Sequence, residues 1–120
     1  MGLIDDTQSV LESAMRGAQL RQTLLTNNIA NVDTPGYQRQ DVNFQSQLRS
    51  ALDAGATPGA VTFQPTITAQ TLRADGNGVD LSTEATKLSE NGLTYEALTQ
   101  VDSARVAILR QAIGGNPGAA

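Results

Sequence analysis

The sequence predicts a mainly α protein whose long N- and C-terminal helices pack as an antiparallel, coiled-coil-like pair. A short helix and a Gly/Pro/Thr-rich middle segment that can be extended lie between them. Three observations carry that prediction. An apolar pattern at helical spacing runs from Asp5 to Val32, and a second runs from Asp80 to Ile113. Between them, Thr34-Pro35-Gly36-Tyr37 and the soft stretch 55–78 break the periodicity. The 120 residues are therefore expected to form one domain: a helix over 5–32, a turn and short helix over 33–54, a flexible linker over 55–78, a helix over 80–113 and a tail over 114–120.

In the first helix, Leu11, Ala14, Met15, Ala18, Leu25, Ile29 and Val32 recur at intervals that keep them on one face. The expected length is about 40 Å at 1.5 Å per residue. Asp5 and Asp6 stand where carboxylates favour a helix N-terminus, and Asp6 or Thr7 is the expected cap. Leu20 and Leu24 lie beside the main stripe, so this helix offers more apolar surface than a two-helix seam uses, and some of it should meet a third helix. Asn27, Asn28 and Asn31 are poor helix-interior residues, with two readings: hydrogen bonds that fray and cap the helix, or contacts to a partner.

Pro35 disfavours helical dihedrals at Thr34, and Pro-Gly suits the two central positions of a type II turn, where the second residue needs positive φ. The helix must stop by about Val32. Residues 37–44 alternate weakly and can be extended, after which Phe44, Leu48 and Leu52 recur every four residues and predict a short helix over 43–52. From Asp53 to Gly78 only Val61, Phe63, Ile67 and Leu72 are sizeable apolar side chains. Val61, Phe63, Pro65 and Ile67 share one parity, so a strand can form once something packs on it, although Pro65 lacks a ladder donor.

Asp75-Gly76-Asn77-Gly78 is turn chemistry, and Asp80 is the expected N-cap of the last helix. There Leu81, Ala85, Leu88, Gly92, Tyr95, Leu98, Val106, Leu109 and Ile113 make a stripe of near-heptad spacing. Asp80 and Glu84 near its start, with Arg105 and Arg110 near its end, suit the helix dipole. Counting in sevens from Leu81 through Leu88 and Tyr95 reaches Asp102, an acid on the seam. An unpaired buried carboxylate is costly, so either Asp102 meets Arg105 or a neighbour's cation, or the stripe rotates locally and leaves the acid in water.

Composition narrows the function. Leu, Ile, Val and Phe total 27 of 120 residues, which is little material for a conventional core and predicts a marginal monomer. A net charge of −4 with eight scattered Lys and Arg argues against nucleic acid, which needs clustered cations. With no Cys and no His, thiolate chemistry, disulfides and His-ligated zinc are excluded, and the commonest general base is missing. Residues 75–80 lack the Gly and Glu placement of a calcium loop, and no phosphate loop or nucleophile elbow is present. No cofactor, metal or catalytic residue is expected. There is no basic-then-apolar leader and no run long enough for a membrane span, which predicts a cytoplasmic chain or one exported without a cleaved signal.

What remains is association. A two-helix hairpin buries one stripe per helix and leaves Leu20, Leu24, Leu93, Val101 and Ile108 for other copies, either in an open helical lattice or in a closed bundle dimer.

The stretch Ala30-Asn31-x-x-Thr34-Pro35-Gly36-Tyr37 after a long helix resembles the N-terminal signature of bacterial flagellar rod and hook proteins. Arg39-x-Asp41-Val42-x-Phe44 and Asp75-Gly76-Asn77-x-Val79-Asp80, with Lys87-Leu88-Ser89-Glu90-Asn91 and Tyr95, make the whole chain most similar to the FlgB family of proximal rod subunits. The resemblance implies a structural subunit of the basal-body rod, in the periplasm, self-assembling in a helical lattice that transmits torque and lines the export channel. Its implied partners are other rod proteins, the MS-ring protein with its rod adaptor, and the flagellar type III export apparatus. Asp102 departs from the apolar seam expected of such a helix. Without the resemblance, a second reading stands: a cytoplasmic helical-hairpin export chaperone or binding protein that caps a partner's amphipathic helix.

Overall fold

The computed structural model of the protein describes residues 3–67 and 80–114. Helix α1 spans Leu3–Ala30, strand β1 Gln40–Asp41, helix α2 Phe44–Asp53, strand β2 Thr66–Ile67 and helix α3 Leu81–Ile113, with a 3-10 turn at Pro58–Ala60. The fold is mainly helical, as the periodicity predicts. The expected turn at residues 75–78 and the tail beyond Gly114 lie outside the described residues.

The N-terminal cap is corrected. Because α1 already begins at Leu3, the expected caps Asp6 and Thr7 lie inside its first turns. Its C-terminus closes through local bonds. Asn31 N–H is shared between the carbonyls of Asn27 and Asn28, and the Asn31 side chain donates to Asn27 O at 2.9 Å. Tyr37 N–H then reaches Thr34 O at 3.2 Å, with Gly36 at φ +77°, the left-handed value required at the second central position of the turn.

Helix α2 is bounded at both ends by its own sequence. Asn43 Oδ1 accepts from Ser46 N–H at the start. At the finish, Gly55 at φ +88° bonds to Leu52 O while Ala56 N–H reaches back to Ala51 O, a Schellman closure. One face of α2 then lies on α1, so close that a Cβ on Gly17 would sit 2.6 Å from the Phe44 Cβ. This is the third helix that the width of the α1 apolar surface required. Leu24, two turns along from Gly17, is buried and Leu20 is half-buried, so neither is left for another copy as the sequence suggested.

Residues 55–67 also fold back onto α1 and α2. Ser13 Oγ donates to Pro58 O at 2.5 Å, and the Arg16 guanidinium reaches the carbonyls of Gly59 and Val61. Val61 is buried, Phe63 meets Phe44 edge-to-face at 6.3 Å, and the Gln47 amide exchanges two bonds with the Gln64 backbone. The strand is shorter than the shared parity suggests. Among the described residues Thr66 and Ile67 pair, antiparallel with Asp41 and Gln40, and Pro65 stands at the start where no donor is needed.

Helix α3 runs antiparallel to α1, its residues meeting α1 in reverse order from Glu84 at Asn28 to Asp102 at Gln8. Among the described residues the buried apolar core is Ala18, Leu24, Leu25, Val42, Phe44, Leu48 and Val61, all from α1, α2 and the segments around α2. The two fully buried residues of α3 are Glu84 and Asn91. The result is an elongated slab of 69 × 32 × 14 Å.

Candidate functional site

No cluster of acids able to hold a metal occurs among the described residues, and no described helix is long and apolar enough to cross a membrane. The surfaces of the α1/α3 pair are the features that can act.

The seam itself is half polar. On α1, Leu11, Ala14, Met15, Ala18, Leu25 and Ile29 are buried or half-buried, and Val32 is half-buried just past the helix end. On α3, Leu88, Tyr95, Leu98, Val106 and Leu109 are half-buried, whereas Leu81 and Ile113, at the two ends, are exposed. Between these apolar residues the helices are tied by side chains that heptad counting from Leu81 passes over. Asn28 Nδ2 donates to Glu84 Oε2 at 3.3 Å and to Gln40 O at 2.8 Å, while its Oδ1 accepts from Gln40 N–H. Asn91 Nδ2 donates to Ala18 O at 2.8 Å and Gln22 Oε1 at 2.9 Å, leaving its Oδ1 buried without a hydrogen-bond partner. Gln19 donates to the Tyr95 hydroxyl at 3.0 Å.

Asp102 is resolved by the same device. It is half-buried and accepts from the Gln8 amide, whose oxygen accepts from Arg105 at 3.3 Å. One Gln bridges the acid and Arg105 across the seam, so Asp102 reaches the expected cation through an amide and is half-buried, not turned fully into water. The signal was present in the sequence. Glu84, Leu88, Asn91, Tyr95, Leu98, Asp102, Arg105 and Leu109 alternate by four and three, and this mixed line is the face that α3 turns to α1.

Glu84 anchors a buried ionic cluster. Arg39 donates to both of its oxygens and to Asp41 Oδ2 at 3.4 Å, and Arg21 pairs with Asp41 at 2.8 and 3.2 Å. Burial alone would push the Asp41 carboxyl up. The Arg21 hydrogen bond, the Val42 N–H and the charges of Arg21 and Arg39 outweigh it and hold the group below the usual carboxylate range. Burial likewise acts to lower Arg39, but Glu84 and then Asp41 reverse the sign and raise it.

Of the three asparagines before the turn, Asn31 takes the capping role and Asn28 the internal one; Asn27 is exposed. In the turn itself Ala30, Thr34, Pro35 and Gly36 are exposed, while Asn31 and Tyr37 are half-buried. Elsewhere, α3 carries a second apolar line of Leu93, Ala97, Val101, Ala104 and Ile108 that is exposed among the described residues, its large members at 68%, 51% and 63%.

Residues 9–38, from the second turn of α1 through the Thr-Pro-Gly-Tyr turn, match the family described as flagella basal body rod protein. The chain is also 37% identical to the flagellar basal body rod protein FlgB of Bacillus subtilis, over 83% of this chain and 87% of that relative. The chain belongs to the FlgB family. FlgB of Yersinia enterocolitica is 32% identical over 78% of this chain and 82% of its own, and FlgB of Cereibacter sphaeroides 29% over 92% and 95%. Similarity to FlgB proteins thus extends over both long helices, well beyond the turn that first suggested the wider rod and hook class.

Proposed function

We propose that this FlgB-family chain is a structural subunit of the flagellar basal-body rod and acts by association alone, without catalysis or cofactor. Beside the family, the observation that carries the reading is the second apolar line of α3. A slab whose interior seam is half polar, yet whose outer surface carries Leu93, Val101 and Ile108 in a row, is built to be completed by neighbours. A helical lattice of such slabs resists twisting because each long helix is held along its length, as torque transmission across the periplasm requires. Most of the α1 and α3 residues that the sequence offered as the assembly interface line each subunit's own seam, Leu81 and Ile113 apart, and the exposed stripe of α3 faces outward to self and other rod proteins. The MS-ring protein with its rod adaptor would seat the lowest subunits. Passage through the flagellar type III export apparatus fits a chain whose described residues include seven buried apolar side chains, because so small a core unfolds at small cost.

The test is complementation of a flagellated host lacking its own copy of this subunit. The unmodified chain should restore rods and motility, and a variant carrying Leu93→Asp, Val101→Asp and Ile108→Asp should keep its helical circular dichroism but fail to enter rods. If the unmodified chain instead forms a closed dimer that never enters rods, the chaperone-like alternative stands in its place. The relatives described above are rod proteins, which favours the first outcome.

A further inference from the structure

Asn91 and Gly92 stand side by side in the middle of α3, and an Asn-Gly pair is chemically labile. The backbone nitrogen of the glycine can attack the side-chain amide carbon of the asparagine, because no Cβ on the second residue shields the approach. A bond forms from Gly92 N to Asn91 Cγ, the Cγ–Nδ2 bond breaks, and the amide leaves as ammonia, giving a cyclic succinimide. Water then adds at one of the ring carbonyls and opens it to aspartate or to isoaspartate, in which the main chain runs through the former side chain. Water is the co-reactant, and no oxidant or enzyme is needed.

The fold holds this reaction off in two ways. Both residues lie inside Leu81–Ile113, where the Gly92 N–H is committed to the helical bond four residues back and the helical backbone keeps Asn91 Cγ off that nitrogen. The side chain is held as well: Asn91 is 1% exposed, and its Nδ2 donates to Ala18 O at 2.8 Å and Gln22 Oε1 at 2.9 Å, both on α1. Gly92, by contrast, is half-buried, and a Cβ built on it would meet nothing within 4 Å. The pair is therefore protected by the helix and its docking on α1, not by distance from water. That docking is lightly held here. Among the described residues no buried apolar side chain belongs to α3, Asn91 Oδ1 is buried without a partner, and a glycine inside a helix weakens it.

We propose that Asn91-Gly92 is a deamidation site gated by the α1/α3 seam: inert while α3 is docked, reactive when α3 leaves α1 and unwinds there, and unable to dock again once converted. The last step follows from the hydrogen bonds. An aspartate at this position has no amide hydrogens to give, so its carboxylate would press against the Ala18 carbonyl, an acceptor against an acceptor in a buried place. Gln22 can turn its amide to donate, but the Ala18 carbonyl cannot. An isoaspartate lengthens the main chain and breaks the helical ladder. The inference concerns the single chain and stands whether or not the rod reading does.

Trypsin cleavage after Arg73, Lys87 and Arg105 isolates the site: residues 88–105 carry Asn91-Gly92, and residues 74–87 carry the other Asn-Gly pair, Asn77-Gly78. The full chain is aged in mildly alkaline buffer, with and without denaturing urea, and conversion in each peptide is followed by mass spectrometry with isoaspartyl labelling. In urea both pairs should convert. In buffer, conversion at Asn91 should be at least about tenfold slower than in urea, because only opened molecules react. Equal rates in the two conditions would overturn the gate, and conversion of Asn77 without Asn91 in urea would overturn the site. Glu84→Ala, which leaves Arg39 unpaired where α3 begins, should raise the buffer rate at Asn91 toward the urea value, and an unchanged buffer rate would overturn the role of the seam. A second measurement takes Asn91→Asp as the product. Its α3 amides should exchange hydrogen faster than those of the unmodified chain, and equal protection would overturn the claim that the converted chain cannot dock.

Discussion

Glu84 stands in the first turn of α3, where an acid is ordinarily explained by the helix dipole, yet it is fully buried against Arg39 and Asn28. Removing one member of such a cluster leaves the other charge buried, so Glu84→Ala should cost about 3–5 kcal/mol of stability, read from urea unfolding. An equal loss in an Arg39→Met, Glu84→Leu double variant would contradict that cause, since removing both charges should recover much of it. Asp41 gives the cluster a pH dependence. Its folded pKa is depressed, so its contribution is fully present above the ordinary carboxylate value of about 4 and is lost as pH falls through the lower folded value. Melting temperature should therefore fall on acidification in this window, and Asp41→Asn should flatten that part of the profile. Gly17 is a residue of close approach: Gly17→Ala should push on the Phe44 ring and cost about 1–3 kcal/mol despite the better helix propensity of alanine.

At the scale of the elements, the seam trades strength for register. Asn91 makes two bonds to α1 but leaves its carbonyl oxygen unpartnered, a penalty of about 1–3 kcal/mol for a buried group. Asn91→Leu is expected to leave thermal stability equal or higher while allowing α3 to slide on α1, because polar seam positions specify alignment more than they stabilise it. Hydrogen exchange along α3 would detect that as weaker protection in its C-terminal half, and unchanged protection would mean Asn91 is dispensable for register. Two of the element ends were legible in advance because their causes are local. Asp80 and the Pro35-Gly36 pair act on backbone groups within a few residues, and each does so here. The seam was only partly legible. Helical spacing identified Leu88, Tyr95 and Leu98, but a polar residue at the right spacing reads the same whether it faces a partner amide or water, so Glu84, Asn91 and the Gln8 bridge to Asp102 were missed or left open.

For the whole molecule, a radius of gyration of 18.7 Å exceeds the roughly 14 Å expected of a compact chain this long, which follows from a one-layer hairpin with its core at one end. Stability should therefore rise with concentration as neighbours cover the α3 stripe, and melting temperatures measured across a hundredfold dilution series would reveal it. The sequence by itself determined the helical class, the two long helices, the turn between α1 and β1 and the membership in the rod family, because periodicity, capping and turn chemistry are written in short stretches of chain. Only the tertiary structure decided which face of α3 meets α1, which acids are buried, and that the apolar surplus forms an exposed stripe on α3. Those outcomes depend on residues far apart in sequence, where the choice among several equally spaced faces is made by the partner each face finds.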